Sequence, residues 1–414
     1  MFNKYFSLTD TLFEITEKYP QTVPVFTANG FPQMGDAAKR ADFGKKINLE
    51  TALTFQKRDT DSFAQLLVTA IEGLGDEDVT LSGSKTSGNS ENLKIAGLLP
   101  CPVRIPLMES FKKFSKEYTQ EYGIALDYEL KAASMGVEWI DDNLSEITDP
   151  SGIPDLFISA GFDLFFDEEK IGKFKKNGVF KDLVPDVKIN SSFTGYDLKD
   201  PRGHYSMIGV VPAVFLVNLK DLGDRKVPRT WEDILGKEFE NSVSLPVGDF
   251  DLFNGMLLNI HKRFGPEGVR KLGRSLLESL HPSQMVKSDR KTVNRPVITI
   301  LPYFFTKTVR EGSTMTAVWP EDGAIISPLF MLAKAEKEDK LKEVVTFFAS
   351  REVGEILSHQ GLFPSTNPEV DNRLDENKLF SWLGWDYIYS TDIAGTIKEC
   401  EALFEESVTE RIEA

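Results

Sequence analysis

The sequence predicts an α/β protein preceded by a small all-α domain. The chain has 414 residues, too many for one compact core, which favours two or three domains. Up to residue 74, apolar residues recur at helical spacing. From Leu93 onward, apolar strand patterns alternate with amphipathic helix patterns. This alternation is typical of α/β architecture, and we expect largely parallel sheets.

The all-α domain is expected at residues 1–74. Leu8, Leu12, Ile15 and Tyr19 follow helical spacing, and Thr9 or Asp10 precedes them as a candidate N-cap. Further helices are expected at 23–28, 49–55 and 63–71.

A linker is expected at residues 75–94, because this segment is rich in Gly, Ser and Asp and has no apolar periodicity. It contains Gly83-Ser84-Lys85-Thr86, in which a serine separates Gly from Lys. Neither a strand pattern before it nor a helix pattern after it supports a phosphate-binding loop.

The remaining elements follow from apolar runs bounded by Gly, Pro and polar residues. Strands are expected at 95–99, 124–130, 155–158, 210–217, 243–245, 297–301, 314–318 and 324–334. Helices are expected at 108–122, 230–235, 249–264, 269–280, 303–309, 341–349 and 352–360.

Composition excludes several classes of partner. The net charge is -16 and no block of Lys and Arg stands out, which argues against nucleic acid and anionic membrane surfaces. No segment approaches the ~20 apolar residues of a membrane helix, so no membrane insertion is expected. The N-terminus lacks the pattern of a signal peptide, which favours a cytoplasmic location as written. A periplasmic or cell-surface location is expected instead if a signal was removed.

The sequence nominates no catalytic or metal centre. Two distant cysteines, Cys101 and Cys400, form neither a disulfide framework nor a paired metal site. The common nucleophile, zinc and dinucleotide motifs are absent. We therefore expect no enzyme and leave the cofactor unassigned.

An ordered set of motifs from about residue 93 to 370 resembles the bacterial extracytoplasmic solute-binding proteins of ABC importers. The set comprises Asp155-Leu-Phe-Ile-Ser-Ala-Gly, Pro228-Arg-Thr-Trp-Glu-Asp-Ile-Leu, Trp319-Pro-Glu-Asp-Gly-Ala and Gly361-Leu-Phe-Pro. The iron-binding branch of this family uses adjacent tyrosines, and no Tyr-Tyr pair occurs in this sequence. Ferric iron is therefore not carried over as the ligand.

The N-terminal pattern resembles a small helical domain of unknown function that is associated with hybrid-cluster proteins. It runs through Glu17-Lys-Tyr-Pro, Val25-Phe and Asn29-Gly-Phe. Members often carry a cysteine pair just after this point, whereas residues 31–36 contain no cysteine. No redox or metal role is carried over to this domain.

The main resemblance implies a bilobal type II periplasmic-binding-protein-like fold. Lobe 1 is expected at 95–207 and 311–414, lobe 2 at 208–310, with hinge strands near 208–217 and 316–328. A small-molecule or ion solute is expected to bind between the lobes of a monomer and drive hinge closure. An ABC permease is the partner that this implies. The missing signal pattern and the helical domain favour the alternative, a cytoplasmic enzyme or enzyme-associated regulator with the same bilobal fold.

Candidate ligand contacts come from loops expected at the carboxyl ends of strands, where such folds bind ligands. The small residues of 159–161 would let backbone N–H groups approach a ligand, or form only a tight turn. A helix start near 249 suits an anion, whereas its aspartates suit a cation or act as an N-cap. The solute and its charge stay open. The candidates are Pro100, Cys101, Ser159, Ala160, Gly161, Phe162, Tyr205, Asp249, Phe250, Asn254, Trp319 and Glu321.

Overall fold

The structure is a computed structural model, and its described part divides into two compact units, one within residues 1–80 and one within 81–289 and 295–414. Each unit has its own core. The described residues are 5–20, 22–28, 31–35, 37–55, 60, 63–64, 67–68, 81–82, 92–99, 103–132, 144, 147–162, 165–184, 188–247, 250–279, 288, 295–309 and 312–413.

The N-terminal unit is helical, as the spacing predicts. Thr11 provides the N-cap of α1 rather than Thr9 or Asp10, because its hydroxyl accepts from Glu14 N–H and Glu14 bonds back in a capping box. Phe26 packs against Phe31 and Phe63 with ring centroids 5.8 and 5.5 Å apart. Most of the helix expected at 63–71 lies outside the described residues. The helices are α1 (Leu12–Lys18), α2 (Thr22–Ala28), α3 (Ala37–Gly44) and α4 (Leu49–Phe55), with a 3-10 turn at Pro32–Gly35.

The second unit is a mixed α/β structure, so the predicted fold class is confirmed. Its strands are β1 (Leu81–Ser82), β2 (Leu93–Leu99), β3 (Leu126–Ala132), β4 (Leu156–Ala160), β5 (Phe180–Lys181), β6 (Tyr205–Asn218), β7 (Val243–Leu245), β8 (Leu276–Ser279), β9 (Ile298–Pro302), β10 (Met315–Val318), β11 (Ala324–Lys334) and β12 (Phe380–Ser381). Strand β1 falls inside the segment expected to be a linker.

The helices of this unit cover both halves of the sheet. They are α5 (Arg104–Tyr122), α6 (Gly172–Lys175), α7 (Leu219–Leu222), α8 (Trp231–Ile234), α9 (Phe250–Ser275), α10 (Glu338–Phe348), α11 (Arg351–Glu355), α12 (Trp385–Ser390) and α13 (Ile393–Glu413). Shorter turns include a 3-10 helix at Tyr303–Thr308 and a π turn at Ile356–Gln360.

The sheet is mostly parallel toward its two ends, and the short strand β12 also runs parallel to β11. Strand β2 runs parallel to β3 and β4, and β7 runs parallel to β8 and β9. Between these groups, β11 is antiparallel to β4 and to β6, and β6 is antiparallel to β9 and β10. The expectation of largely parallel sheets is therefore wrong at the centre, because the strands that connect the two halves run against their neighbours.

Strand β6 crosses from one half of the sheet to the other. All 14 of its residues are buried. It pairs with β11 as far as Pro212↔Ile326, and from Ala213↔Pro302 onward it pairs with β9. Pro212 occupies the point where the partner changes, a position that tolerates a residue without a backbone N–H. The turn at 319–323, between β10 and β11, makes the second crossing.

A buried ion pair fixes the first half of the sheet. Lys334 Nζ lies 3.0 Å from Asp155 Oδ1 and also donates to the carbonyl of Ile153. The other carboxylate oxygen of Asp155 accepts the Lys94 N–H. Strands β2, β4 and β11 are thus joined through charged groups whose hydrogen bonds are made, the condition under which buried charge is tolerated.

One segment of this unit differs from the predicted helices and strands. Helix α9 is broken at Gly265 (φ 67°), just before Pro266, which agrees with the two helices expected at 249–264 and 269–280, but residues 276–279 form β8 instead of the end of the second helix. The C-terminal helix α13, within a range expected in the first lobe, packs on α9. Phe404 lies edge-on to Phe253 at 5.1 Å.

Candidate functional site

The candidate site is built where strands end. In the first half, β4 ends at Ala160, and in the second half, β7 ends at Leu245 before α9 begins at Phe250. The sequence candidates on these elements can therefore be compared directly. Pro100, Cys101 and Asp249 lie outside the described residues, as does the side chain of Phe250.

Residues 159–160 lie within a strand and not in the loop that the sequence suggested. Ser159 and Ala160 are paired with Phe330 and Leu329 of β11, and the Ser159 hydroxyl donates to Ala160 O at 3.3 Å. Both residues are buried. Gly161 follows with φ 82°, and its N–H donates to Pro328 O at 3.0 Å. That N–H is already used within the protein.

Phe162 brings the two halves together. It is fully buried and packs on Phe166 and Phe330 in the core of the first half. A Cβ placed on Gly255 of α9 would lie 3.7 Å from Phe162 Cε2 and 3.8 Å from Ile326 O. The second-half helix therefore lies against the first-half loop at this point, at a spacing that still leaves room for a Cβ.

Asn254 lies at this same junction. It is 2% exposed, and among the described residues its Oδ1 has no hydrogen-bond donor. Leu258, one helical turn further, packs in the cluster that contains Phe162, which places Asn254 on the face of α9 toward the first half. The free carboxamide oxygen needs an explanation, since buried polar groups are nearly always paired.

Asn259 on the same helix shows the ordinary structural alternative. Its Nδ2 donates to Gly255 O at 2.8 Å, and its Oδ1 lies 3.2 Å from the Ser381 hydroxyl. Both ends of this amide are therefore bonded, unlike the oxygen of Asn254.

Tyr205, at the start of β6, belongs to the same buried cluster as Phe162. Its hydroxyl donates to Phe165 O at 2.8 Å and accepts from Lys175 Nζ at 2.6 Å. Its ring stacks on Phe166 at 4.8 Å. Burial raises the pKa of the Tyr205 hydroxyl well above its usual value and lowers the pKa of the Lys175 amine to about 8. These contacts give Tyr205 a packing role.

The acidic turn at 321–322 is neutralised by arginines. Glu321 Oε1 lies 2.7 Å from Arg229, and Asp322 Oδ2 lies 2.5 Å from Arg263. Asp322 also accepts the Trp231 N–H at 3.1 Å. The turn is thus tied to the start of α8, and its two carboxylates have partners without a bound cation.

Trp319 packs at the crossing between the two halves. Its Nε1 donates to Leu379 O at 2.7 Å, and its ring lies edge-on to Tyr303 at 5.1 Å. Lys378 Nζ lies 5.5 Å above the Trp319 ring and 3.1 Å from the Tyr303 hydroxyl. The sequence candidates did not include Lys378, because it has no neighbouring motif that would single it out.

The described residues supply neither a metal cluster nor a membrane span. In that part of the chain, no group of three or more His, Cys, Asp or Glu side chains could hold a metal ion. No helix there is sufficiently long and apolar to cross a bilayer.

Two halves that share one crossed sheet define a type II periplasmic-binding-protein-like fold. The chain belongs to the bacterial extracellular solute-binding protein family, whose model matches residues 151–391. Residues 6–63 match DUF1858, a domain of unknown function. Both resemblances drawn from the sequence are confirmed.

Solved structures agree in fold. The ferric binding protein from Campylobacter jejuni matches with a TM-score of 0.54 at 13% identity, over 76% of this chain and 99% of that one. Iron-bound HitA from Pseudomonas aeruginosa matches with a TM-score of 0.52 at 12% identity, over 76% and 99%. AfuA from Actinobacillus pleuropneumoniae, with fructose-6-phosphate bound, matches with a TM-score of 0.50 at 16% identity, over 79% and 100%. No curated protein sequence matches the chain.

The bilobal type II fold is therefore confirmed, as is the class of function. The protein is a member of the bacterial extracellular solute-binding proteins, with the two-lobed fold of its structural neighbours. Its family is an extracellular one, and both the family and its structural neighbours are binding proteins.

Proposed function

We propose that this protein binds a small polar organic solute at the junction of Phe162 and the first turns of α9, and performs no chemistry on it. The observation that carries the proposal is the Asn254 carboxamide oxygen, which is buried without a partner in the described structure. Such an unpaired group costs about 1–3 kcal/mol. A solute that presents a hydroxyl or amine to Asn254 would remove that cost.

The charges around the second crossing support an organic solute over a metal ion. Glu321 and Asp322, the acidic residues that hinted at a cation, already pair with Arg229 and Arg263. No cluster of metal-binding side chains occurs in the described residues. The neighbour with bound fructose-6-phosphate indicates that a similar fold accommodates a hydroxylated organic molecule.

Closure of the lobes around the solute would present a surface to an ABC permease, with the receptor acting as a monomer. We assign residues 95–207 to lobe 1 and the span from Ala213 to Val318 to lobe 2, since β6 changes its pairing partner at Pro212–Ala213. Helix α13 is assigned to lobe 2 because it packs on α9. The remaining C-terminal elements belong with lobe 1.

Native mass spectrometry of the protein as purified tests the proposal. We expect an organic adduct in the mass spectrum. After the protein is emptied, fructose 6-phosphate or free fructose should raise its melting temperature, whereas ferric citrate should not. A shift produced by the ferric salt and by none of the organic compounds would contradict the assignment. Conversion of a stabilising compound into product would contradict the absence of chemistry.

A further inference from the structure

We propose that Lys307 and Lys378 set the solute affinity by bridging the two lobes when they are closed. This inference rests on the proposed function, but neither lysine belongs to the candidate binding residues. Both bridges start from the 3-10 helix Tyr303–Thr308, which follows β9 in the second half of the sheet. Both end on elements of the first half.

The first bridge joins Lys378 to Tyr303. Lys378 lies two residues before β12, which pairs with β11 through Phe380↔Ala324. Its Nζ donates to the Tyr303 hydroxyl at 3.1 Å and lies 5.1 Å from the Tyr303 ring centroid, on the hydroxyl side of the ring. The same amine lies 5.5 Å from the centroid of the Trp319 ring, so a hydroxyl and an indole ring surround it.

The surroundings of Lys378 hold the amine at this position. Trp319 is fixed by its hydrogen bond to Leu379 O and by its edge contact with Phe380 at 5.7 Å. The one acidic side chain described near the amine is Asp375, at 3.7 Å, whose carboxylate is 81% exposed and therefore screened. The contact with Tyr303 is thus the better-placed interaction of Lys378.

The second bridge joins Lys307 to His359. Lys307 Nζ donates to the His359 carbonyl at 3.0 Å. His359 lies in the π turn Ile356–Gln360, whose wider geometry departs from the usual α-helical pairing of carbonyls. The turn belongs to the first half, since Glu352 of the preceding helix accepts a hydrogen bond from Ser110 of α5 at 2.6 Å.

The π turn is followed by a residue that packs against Val103, directly before α5. A Cβ placed on Gly361 would lie 2.6 Å from Val103 Cγ1, beside the start of α5. The lysine bridge therefore connects the 3-10 helix after β9 to a segment packed against Val103 at the start of α5. Opening the lobes would separate these pairs, because each pair spans the two halves of the sheet.

The expected effect on binding follows from population shift. A receptor binds tightly only in its closed form, so its apparent affinity falls in proportion to the closed fraction. Each bridge has the strength of one charge-assisted hydrogen bond between partly exposed groups. Loss of both should lower the closed fraction about three- to tenfold.

Distance measurements by electron paramagnetic resonance on the ligand-free protein test this inference. Spin labels at Glu117→Cys on α5 and Glu232→Cys on α8 report the lobe separation, in a Cys101→Ser background. Cys400 is fully buried and stays in place. The wild-type protein should show a short-distance population that the Lys307→Met and Lys378→Met double variant loses. The matched control, Lys237→Met with Lys271→Met, replaces two exposed lysines of the second half and should leave the distances unchanged.

Tyr303→Phe keeps the ring and removes only the hydroxyl acceptor, so it should give an intermediate loss. Circular dichroism shows whether each variant is folded. If the double variant is unfolded, the distances measured for Tyr303→Phe test the inference instead. A wild-type protein without the short-distance population overturns the inference, as do variants with wild-type distances. Because no solute is added, these failures leave the binding proposal intact, whereas an absent adduct in native mass spectrometry would overturn the binding proposal itself.

Discussion

Two asparagines on α9 have opposite surroundings at the scale of a single residue. Both Asn254 and Asn259 are buried, at 2% and 1% exposed. Asn259 is bonded at both ends, to Gly255 O and to the Ser381 hydroxyl. Asn254 leaves its oxygen free among the described residues. The amide of Asn259 therefore stabilises the fold. The unpaired oxygen of Asn254 lowers stability, and a bound ligand explains its presence better.

Replacing Asn254 with leucine should separate stability from binding. Removing an unpaired buried oxygen should leave the free energy of unfolding unchanged or raise it by up to about 2 kcal/mol. The thermal shift produced by the solute should disappear, because its donor would lose the acceptor. Urea unfolding and ligand-dependent melting of the same preparation measure both effects.

Asn259→Leu is the matched control for that experiment. It removes two side-chain hydrogen bonds and leaves the buried side of the Ser381 hydroxyl without its amide partner, so it should destabilise by about 1–3 kcal/mol. The solute should still raise the melting temperature of Asn259→Leu by about as much as it raises that of the wild-type protein. If Asn254→Leu destabilises as much as Asn259→Leu, Asn254 is a structural amide and the site assignment is wrong.

Lys175 makes a second prediction at the scale of one residue. Burial lowers the pKa of its amine to about 8, and Glu168 at 3.9 Å partly offsets that effect. In the unfolded chain the pKa of a lysine is ~10.4. Below pH 8 both states carry the proton, and the folded state bears the full cost of the buried charge. Between pH 8 and pH 10 the unfolded state binds more protons, so stability rises with pH.

Lys175→Met should remove this rise. The difference in free energy of unfolding between the wild-type protein and this variant should increase in favour of the wild type by on the order of 2–3 kcal/mol between pH 8 and pH 10. Urea unfolding of both proteins at pH 7, 8, 9 and 10 measures the difference. A constant difference across this range would show that the Lys175 amine is solvated.

At the scale of elements, the turn between β10 and β11 is tied to the start of α8 and lies against β12. Trp231 Nε1 donates to Gly323 O at 2.9 Å, and Asp322 accepts the Trp231 N–H. Gly323 has φ 97°, and a Cβ placed there would lie 2.6 Å from Phe380 C and O. The chain passes so close to β12 that only glycine fits.

Gly323→Ala should therefore destabilise by about 3–4 kcal/mol, from backbone strain together with the clash against β12. Gly195 has φ 89°, but a Cβ placed there would meet no atom within 4 Å, so Gly195→Ala should cost only the strain, about 1–2 kcal/mol. Guanidinium unfolding of the two variants compares them. Equal losses would mean that the clash with Phe380 relaxes without cost.

Local sequence patterns were sufficient to predict the strands that consist of a continuous run of buried apolar residues. The expected strands at 210–217 and 324–334 correspond to β6 and β11, which are buried throughout. The sequence missed β8, because residues 276–279 continue an apolar helical pattern and adopt strand geometry through pairing with β7. Antiparallel pairing at the centre was also missed, since strand direction depends on the path of the connections.

The candidate site was less accessible to sequence reasoning. Ser159 and Ala160 were placed in a loop because small residues follow an apolar run, whereas pairing with β11 extends the strand through them. The partners of the acidic turn lie far away along the chain, with Arg229 and Glu321 separated by 92 residues. No local pattern reveals that those carboxylates are already paired, or that the oxygen of Asn254 is not.

At the scale of the whole molecule, the crossed sheet links solute binding to closure. Strand β6 pairs with the first half up to Pro212 and with the second half from Ala213. Binding at the Phe162 and α9 junction would favour the closed arrangement, since a ligand shifts an equilibrium toward the state that it contacts better. The bridges from Lys307 and Lys378 would add to that preference without touching the solute.

The division into two units predicts two separate unfolding transitions. The helical unit has its own core around Leu12, Phe26 and Phe63, and the family matches at 6–63 and 151–391 fall on different units. Phe26→Leu removes about 1 kcal/mol from the small unit and should lower its melting temperature by about 4–8 °C. Phe157→Leu, at an equally buried position of the large unit, should lower only the other transition, by about 2–4 °C or less.

Differential scanning calorimetry of the full chain resolves these transitions. Solute should raise the transition that Phe157→Leu lowers and leave the other unchanged, because binding stabilises only the unit that holds the ligand. A single transition that both substitutions lower would instead show one cooperative unit. In that case the helical domain would contribute to the stability of the binding domain.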